Sequence, residues 1–267
     1  MKPRIVFSHG NSFPGGTYRV VLDSLRQRGY EVRAVDKFGH APQYPVTNNW
    51  PHLVQQLADF AQAWQKEGEP AFLVGHSLGG ILSLMCAARH PELARGVLLL
   101  DSPILGGWKA TTLGLVKKTQ LVGSLSPGRI SSRRRNHWAD RADALEHLRH
   151  KKAFAGWDPQ VLADYVDAGT HDQDGQRWLS FDRDIETAIY NTLPDNLGGL
   201  LRRHPLKCPV AFIGGTHSVE MRTVGMDLTR HITRGRVMML DGSHLFPMEK
   251  PLATAAAIEA SLRNLLR

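Results

Sequence analysis

Short apolar runs alternate with longer stretches of helical period along most of this 267-residue chain. Six runs read as strands, at residues 5–9, 31–36, 71–76, 96–101, 210–215 and 236–241. Each is brief, rich in Val, Ile, Leu or Phe, and bounded by turn residues. Between them, apolar positions recur at helical spacing over 17–28, 49–67, 78–89, 219–231 and 252–266. Such alternation predicts an α/β fold with about six strands, all parallel, covered by helices on both faces. Open sheets of this type bind ligands at the carboxyl ends of their strands.

The alternation lapses once. Between 102 and 207 no strand of comparable strength stands out, helical patterns dominate, and four of the six tryptophans fall there: Trp108, Trp138, Trp157 and Trp178. The expected organisation is a core domain of 1–101 and 208–267 with a helical lid inserted at 102–207. A separate helical domain is disfavoured, because the strands on either side need each other to complete one sheet. Tryptophans suit a small cap, which needs large anchors to bury area.

Lys and Arg number 33 against 25 Asp and Glu, a net charge of +8, which favours anionic partners in general. The basic residues are interleaved with acids and no recognition motif accompanies them, so a nucleic-acid partner is not expected. The densest run, Arg133-Arg134-Arg135, reads as a solvated helix start. Neither cysteine, Cys86 or Cys208, sits at metal or redox spacing. Cys86 falls inside an apolar helix, where a packed thiol is expected. The chain enters its first strand directly after Met1-Lys2-Pro3, so no signal peptide is expected, and no apolar run is long enough to cross a bilayer. A cytoplasmic protein without stable membrane insertion is expected. His147 and His150 share a helix face but lack further ligands, and 171–175 resembles a calcium loop without its closing glutamate and reads as a turn. No metal or organic cofactor is expected.

The chemistry is carried by Gly75-His76-Ser77-Leu78-Gly79. Gly-x-Ser-x-Gly alone arises by chance in roughly one chain of this size in ten. Here an apolar strand precedes it and an apolar helix follows, the setting in which a serine on a tight turn projects its hydroxyl from the sheet edge. After the last predicted strand comes Asp241-Gly242-Ser243-His244, which brings a histidine to the same edge as a general base for Ser77. The first strand ends in His9-Gly10-Asn11-Ser12, a loop able to turn a backbone N–H toward a developing oxyanion. Leu78 is the expected second donor. Asn11 is favoured for the first, with Ser12 the alternative.

Taken in order, His9-Gly10, Asp36 ahead of Phe38-Gly39-His40, Gly75-His76-Ser77-Leu78-Gly79-Gly80, and Gly242-Ser243-His244 with Glu249-Lys250-Pro251 resemble the α/β-hydrolase superfamily, and the chain looks like a lidded member of the esterase/lipase type. The resemblance covers residues 4–101 and 208–267. It implies a serine hydrolase acting on a small-molecule carboxylic ester or thioester through an acyl-enzyme on Ser77. A carbon–carbon bond hydrolase using the same residues, or a non-catalytic relative that binds a ligand or protein, are the alternatives. The chain departs from the family's pattern at the triad acid: the loop after residues 210–215 reads Thr216-His217-Ser218-Val219-Glu220, without the usual Asp. Asp101, at the end of the fourth predicted strand, is the favoured substitute, and Glu220 the alternative. His9, His76 and His217 are candidates to line the pocket, with His76 expected first to pack and hydrogen-bond beneath the elbow and His217 to be a plain loop histidine, and Asp36 is expected to brace the loop that follows it.

Overall fold

The structure is a computed structural model and describes residues 2–65, 68–105 and 134–266. Its centre is a six-stranded sheet in the order β2-β1-β3-β4-β8-β9, formed by β1 (Arg4–Ser8), β2 (Glu31–Ala34), β3 (Ala71–His76), β4 (Ala94–Leu100), β8 (Val210–Gly215) and β9 (Val237–Leu240). Every pairing in it is parallel, as expected. Side chains on β1 show how both faces are buried. Ile5 and Phe7 enter the core beneath the helices Arg19–Gln27 and Pro251–Leu265. Val6 enters the opposite core, beneath Pro51–Ala63 and Leu78–Arg89. Successive strand residues point to opposite faces, so a strand covered on both sides is apolar throughout.

The predicted helix at 219–231 is two helices, Val219–Val224 and Asp227–Thr233. Gly225 between them has φ of 86° and ψ of 169°, a positive-φ conformation open to glycine that ends the first helix. The helix expected at 17–28 is a 3-10 turn, Gly15–Tyr18, followed by Arg19–Gln27.

The described part of 102–207 is not wholly helical. Besides four α-helices it contains a second sheet of three short antiparallel strands, β5 (His137–Trp138), β6 (Thr170–Gln173) and β7 (Gln176–Leu179), in the order β5-β7-β6. The turn expected at 171–175 is the tip of the β6–β7 hairpin. Asp174 and Gly175 both have positive φ (50° and 73°), matching a two-residue loop to the strand twist. The segment packs on the main sheet layer through the helix Pro159–Gly169, which runs so close to Gly15–Tyr18 that a Cβ on Gly16 would meet Ala168 Cβ at 2.5 Å. Trp157 joins Phe13, Phe154 and Tyr165 in one aromatic cluster at this contact. Trp138 is also buried, whereas Trp108 lies outside the described residues.

The described part of the arginine run, Arg134 and Arg135, is not a helix start. Arg133 lies outside the described residues, the helix begins at Arg141, Arg134 lies beside the buried Glu186, and Arg135 pairs with Asp143. The bond that Asp36 makes is to the preceding loop rather than the one that follows it: its carbonyl accepts from Gly15 N at 2.9 Å. Burial pushes the Cys86 thiol up to about 12, which suits a packed rather than reactive group.

Candidate active site

Ser77 stands between β3 and the helix Leu78–Arg89 with φ of 52° and ψ of −116°. An L-residue adopts such a conformation only when its surroundings enforce it. They do so through close packing. A Cβ on Gly75 would lie 2.2 Å from Gly79 backbone, and one on Gly79 would lie 2.0 Å from Ser8 O. Strand, turn and helix can therefore approach only because both positions lack side chains. Ser77 N donates to Leu100 O at 3.0 Å, fastening the turn to β4.

His244 lies beyond β9, on a loop tied down by Glu249, whose carboxylate accepts from Ser243 N at 3.0 Å and from the Ser243 hydroxyl. His244 Nε2 is 3.1 Å from Ser77 Oγ, and its Nδ1 is 2.6 Å from Asp101 Oδ2. A carboxylate can only accept, so Nδ1 carries the proton and Nε2 is left to accept from the serine hydroxyl.

Asp101 follows β4 directly, with φ of 42°, and is fully buried. Its Oδ1 accepts from Gly215 N at 2.8 Å, and its Oδ2 accepts from the Ser218 hydroxyl at 2.6 Å. Burial pushes its pKa upward, but the hydrogen bond and charge of His244, with the bonds from Ser218 and Gly215, outweigh this and hold it below the usual carboxylate range. Glu220 is half-exposed, and its Oε2 is 3.9 Å from His244 Nδ1. Of the two candidate acids, Asp101 alone makes the hydrogen bond. Ser218, which the sequence reading missed, bonds Asp101 and also caps the helix Val219–Val224 by accepting from Met221 N at 3.1 Å. The signal was its place as a serine just before a helix.

In the loop after β1, Phe13 N donates to Gly10 O at 3.1 Å, closing a turn in which Ser12 has φ of 76°. The Ser12 hydroxyl donates to the Glu186 carboxylate, and Asn11 Nδ2 donates to Glu186 O at 3.1 Å. Among the described residues no acceptor takes the backbone N–H of Asn11, Ser12 or Leu78.

Of the three histidines that were pocket candidates, His76 takes the packing role expected of it beneath the elbow and His217 is a surface loop histidine, while His9 is a buried brace rather than a pocket residue. His9 and His76 are fully buried and both ring nitrogens of each are engaged by the protein. Burial pushes His9 down to about 4 and, with the neighbouring His244, pushes His76 down to about 3, so both rings are neutral braces. His217 is largely exposed and lies 3.7 Å from Asp241. Among the described residues one group of three, Asp101, Glu220 and His244, has ligand atoms close enough to hold a metal. Its histidine nitrogen is already committed to Asp101.

A family model described as the alpha/beta hydrolase family matches residues 5–257. The chain belongs to that family. It is 25% identical over 173 residues to the monoglyceride lipase homolog of Monkeypox virus, covering 60% of this chain and 62% of that protein. It is 29% identical over 140 residues to the monoglyceride lipase of Rattus norvegicus, covering 49% of this chain and 46% of that one. The chain thus spans less than two thirds of the length of these curated relatives. The solved structure of E-2-(acetamidomethylene)succinate hydrolase superposes with a TM-score of 0.75 over 98% of this chain and 91% of that one, at 20% identity, which shows the shared fold. This α/β-hydrolase has, among the described residues, no helix long and apolar enough to cross a membrane.

Proposed function

We propose that this α/β-hydrolase is a serine hydrolase that cleaves a carboxylic ester through an acyl-enzyme on Ser77. The observation that carries the reading is the continuous chain Asp101–His244–Ser77, with contacts of 2.6 and 3.1 Å. Ser77 Oγ attacks the carbonyl carbon while its proton passes to His244 Nε2, and Asp101 holds the ring and stabilises the imidazolium. The oxyanion takes the N–H groups of Leu78 and Asn11, with Ser12 the alternative to Asn11. As the carbon–oxygen bond breaks, His244 returns the proton to the departing alcohol. Water then attacks the acyl-enzyme, giving one proton to His244, which restores it to Ser77 as the acid leaves. The described residues of the insertion, 102–105 and 134–207, act as a cap over this site, bounding the substrate.

The relatives named monoglyceride lipase support an ester as substrate. A binding-only relative is disfavoured, because Asp101, at the end of β4, supplies the triad acid that the loop after β8 lacks at the usual place. The test is turnover of p-nitrophenyl esters from acetyl to long acyl, with Ser77→Ala as control. Turnover abolished by the substitution is expected. Equal rates in the two proteins, or none on any ester, would overturn the ester reading.

A further inference from the structure

Three loops must hold register for such a site to work: the turn with Ser77, the loop with His244 and the loop with Gly10 and Asn11. They arise from distant parts of the chain, yet one buried line of hydrogen bonds joins them. Gly10 N donates to Tyr18 Oη at 3.0 Å, Tyr18 Oη lies 2.7 Å from His76 Nδ1, and His76 Nε2 lies 2.9 Å from His244 O.

The direction of every bond is determined. A carbonyl can only accept, so His76 Nε2 carries the proton and donates to His244 O. A neutral ring then leaves Nδ1 as an acceptor, and Tyr18 must donate to it. The tyrosine oxygen is thereby free to accept from Gly10 N. Tyr18 is 1% exposed and His76 fully buried, so water does not replace a lost link. A Cβ on Gly10 would lie 2.9 Å from His76 Nδ1 and 3.1 Å from Tyr18 Oη, which shows how closely the loop is drawn onto the pair.

We propose that Tyr18 is a positioning residue: by accepting from Gly10 and donating to His76, it sets the loop that supplies the Asn11 donor against the loop that carries the His244 base. The inference rests on the serine hydrolase reading above. Tyr18 touches none of the reacting groups and acts through its two neighbours. Its loss misplaces the oxyanion donor relative to the base, and small misplacements of reacting groups cost on the order of 10- to 100-fold in rate.

The experiment compares wild type, Tyr18→Phe and Leu22→Ala. Leu22 is a buried core residue of the helix that follows Tyr18 and makes none of the bonds of the line, so its truncation destabilises while every donor and acceptor of the line is kept. Rates on one p-nitrophenyl ester are divided by the Ser77 sites titrated with a fluorophosphonate. Tyr18→Phe is expected to lower kcat per titrated site about tenfold or more with KM within about twofold, while Leu22→Ala lowers Tm and keeps kcat per site. In parallel, ring ¹⁵N spectra are expected to find wild-type His76 protonated on Nε2 from pH 8 to 5, with the Nδ1 signal shifted in Tyr18→Phe. A Tyr18→Phe kcat per site within twofold of wild type, an equal fall in Leu22→Ala, or a wild-type ring protonated on Nδ1 would each overturn the proposal. Failure of the hydrolase reading is recognised separately, as wild type that neither turns over ester nor takes the label, and the ring spectra read the line of bonds in that case too.

Discussion

Asp101 reaches His244 across 143 residues of sequence, with 2.6 Å between the carboxylate and ring Nδ1. The contact exists because β4 and β8 are paired neighbours and β9 follows β8, so their carboxyl ends share one edge. Glu220 approaches the same nitrogen only to 3.9 Å.

The two acids are therefore expected to separate sharply. Asp101→Asn removes the charge that stabilises the imidazolium and should lower kcat on the order of 10³-fold or more. Glu220→Gln should cost less than about fivefold, since its carboxylate is half-exposed and screened. Steady-state kinetics on one ester check this; comparable losses in both variants would refute the assignment of Asp101.

Ser218 donates to Asp101 and contributes to keeping its pKa low. Ser218→Ala removes that bond, so the Asp101 pKa should rise toward its ordinary value. The carboxylate then takes up its proton at a higher pH than in wild type, and a ¹³C titration of the Asp101 carboxyl should show the rise; an unchanged titration would argue against this role.

Stability should fall in mild acid. Unfolded histidine titrates near 6.5, whereas folded His9 and His76 titrate at about 4 and about 3. Between these values the unfolded chain binds more protons, so the stability present above pH 6.5 is lost as pH falls. Each ring contributes a slope of about 1.4 kcal/mol per pH unit. Urea midpoints from pH 7.5 to 5 should trace this fall, and Tyr18→Phe should not abolish the His9 part of it.

Gly79→Ala should be among the most damaging single changes, because the new Cβ would sit 2.0 Å from Ser8 O, a backbone atom that cannot rotate away. The strand, the elbow and the helix would all have to shift. Loss of soluble protein, or a Tm lowered by about 10 °C or more, is expected. His217→Ala should leave both Tm and turnover near wild type, since the ring is exposed and lies outside the Asp101–His244–Ser77 chain.

Several parts of the molecule were legible in local pattern. The parallel strands were visible because burial on both faces makes each one continuously apolar. Ser77 and His244 were visible because a short motif and its flanking elements determine where each side chain emerges. The antiparallel ribbon was hidden because β6 and β7 read Thr-His-Asp-Gln and Gln-Arg-Trp-Leu, mostly polar, and their pairing rather than their apolar content makes them strands.

The sequence by itself determined the α/β layering, the strained turn at Ser77 and the loop of His244, all set by residues within one strand–loop–helix unit. The tertiary structure alone decided between Asp101 and Glu220, brought Ser218 to the acid, and buried His9 as a brace. Those outcomes depend on which strand ends become neighbours in the sheet and how near their side chains come, and distances across such a gap are set by packing rather than by local spacing.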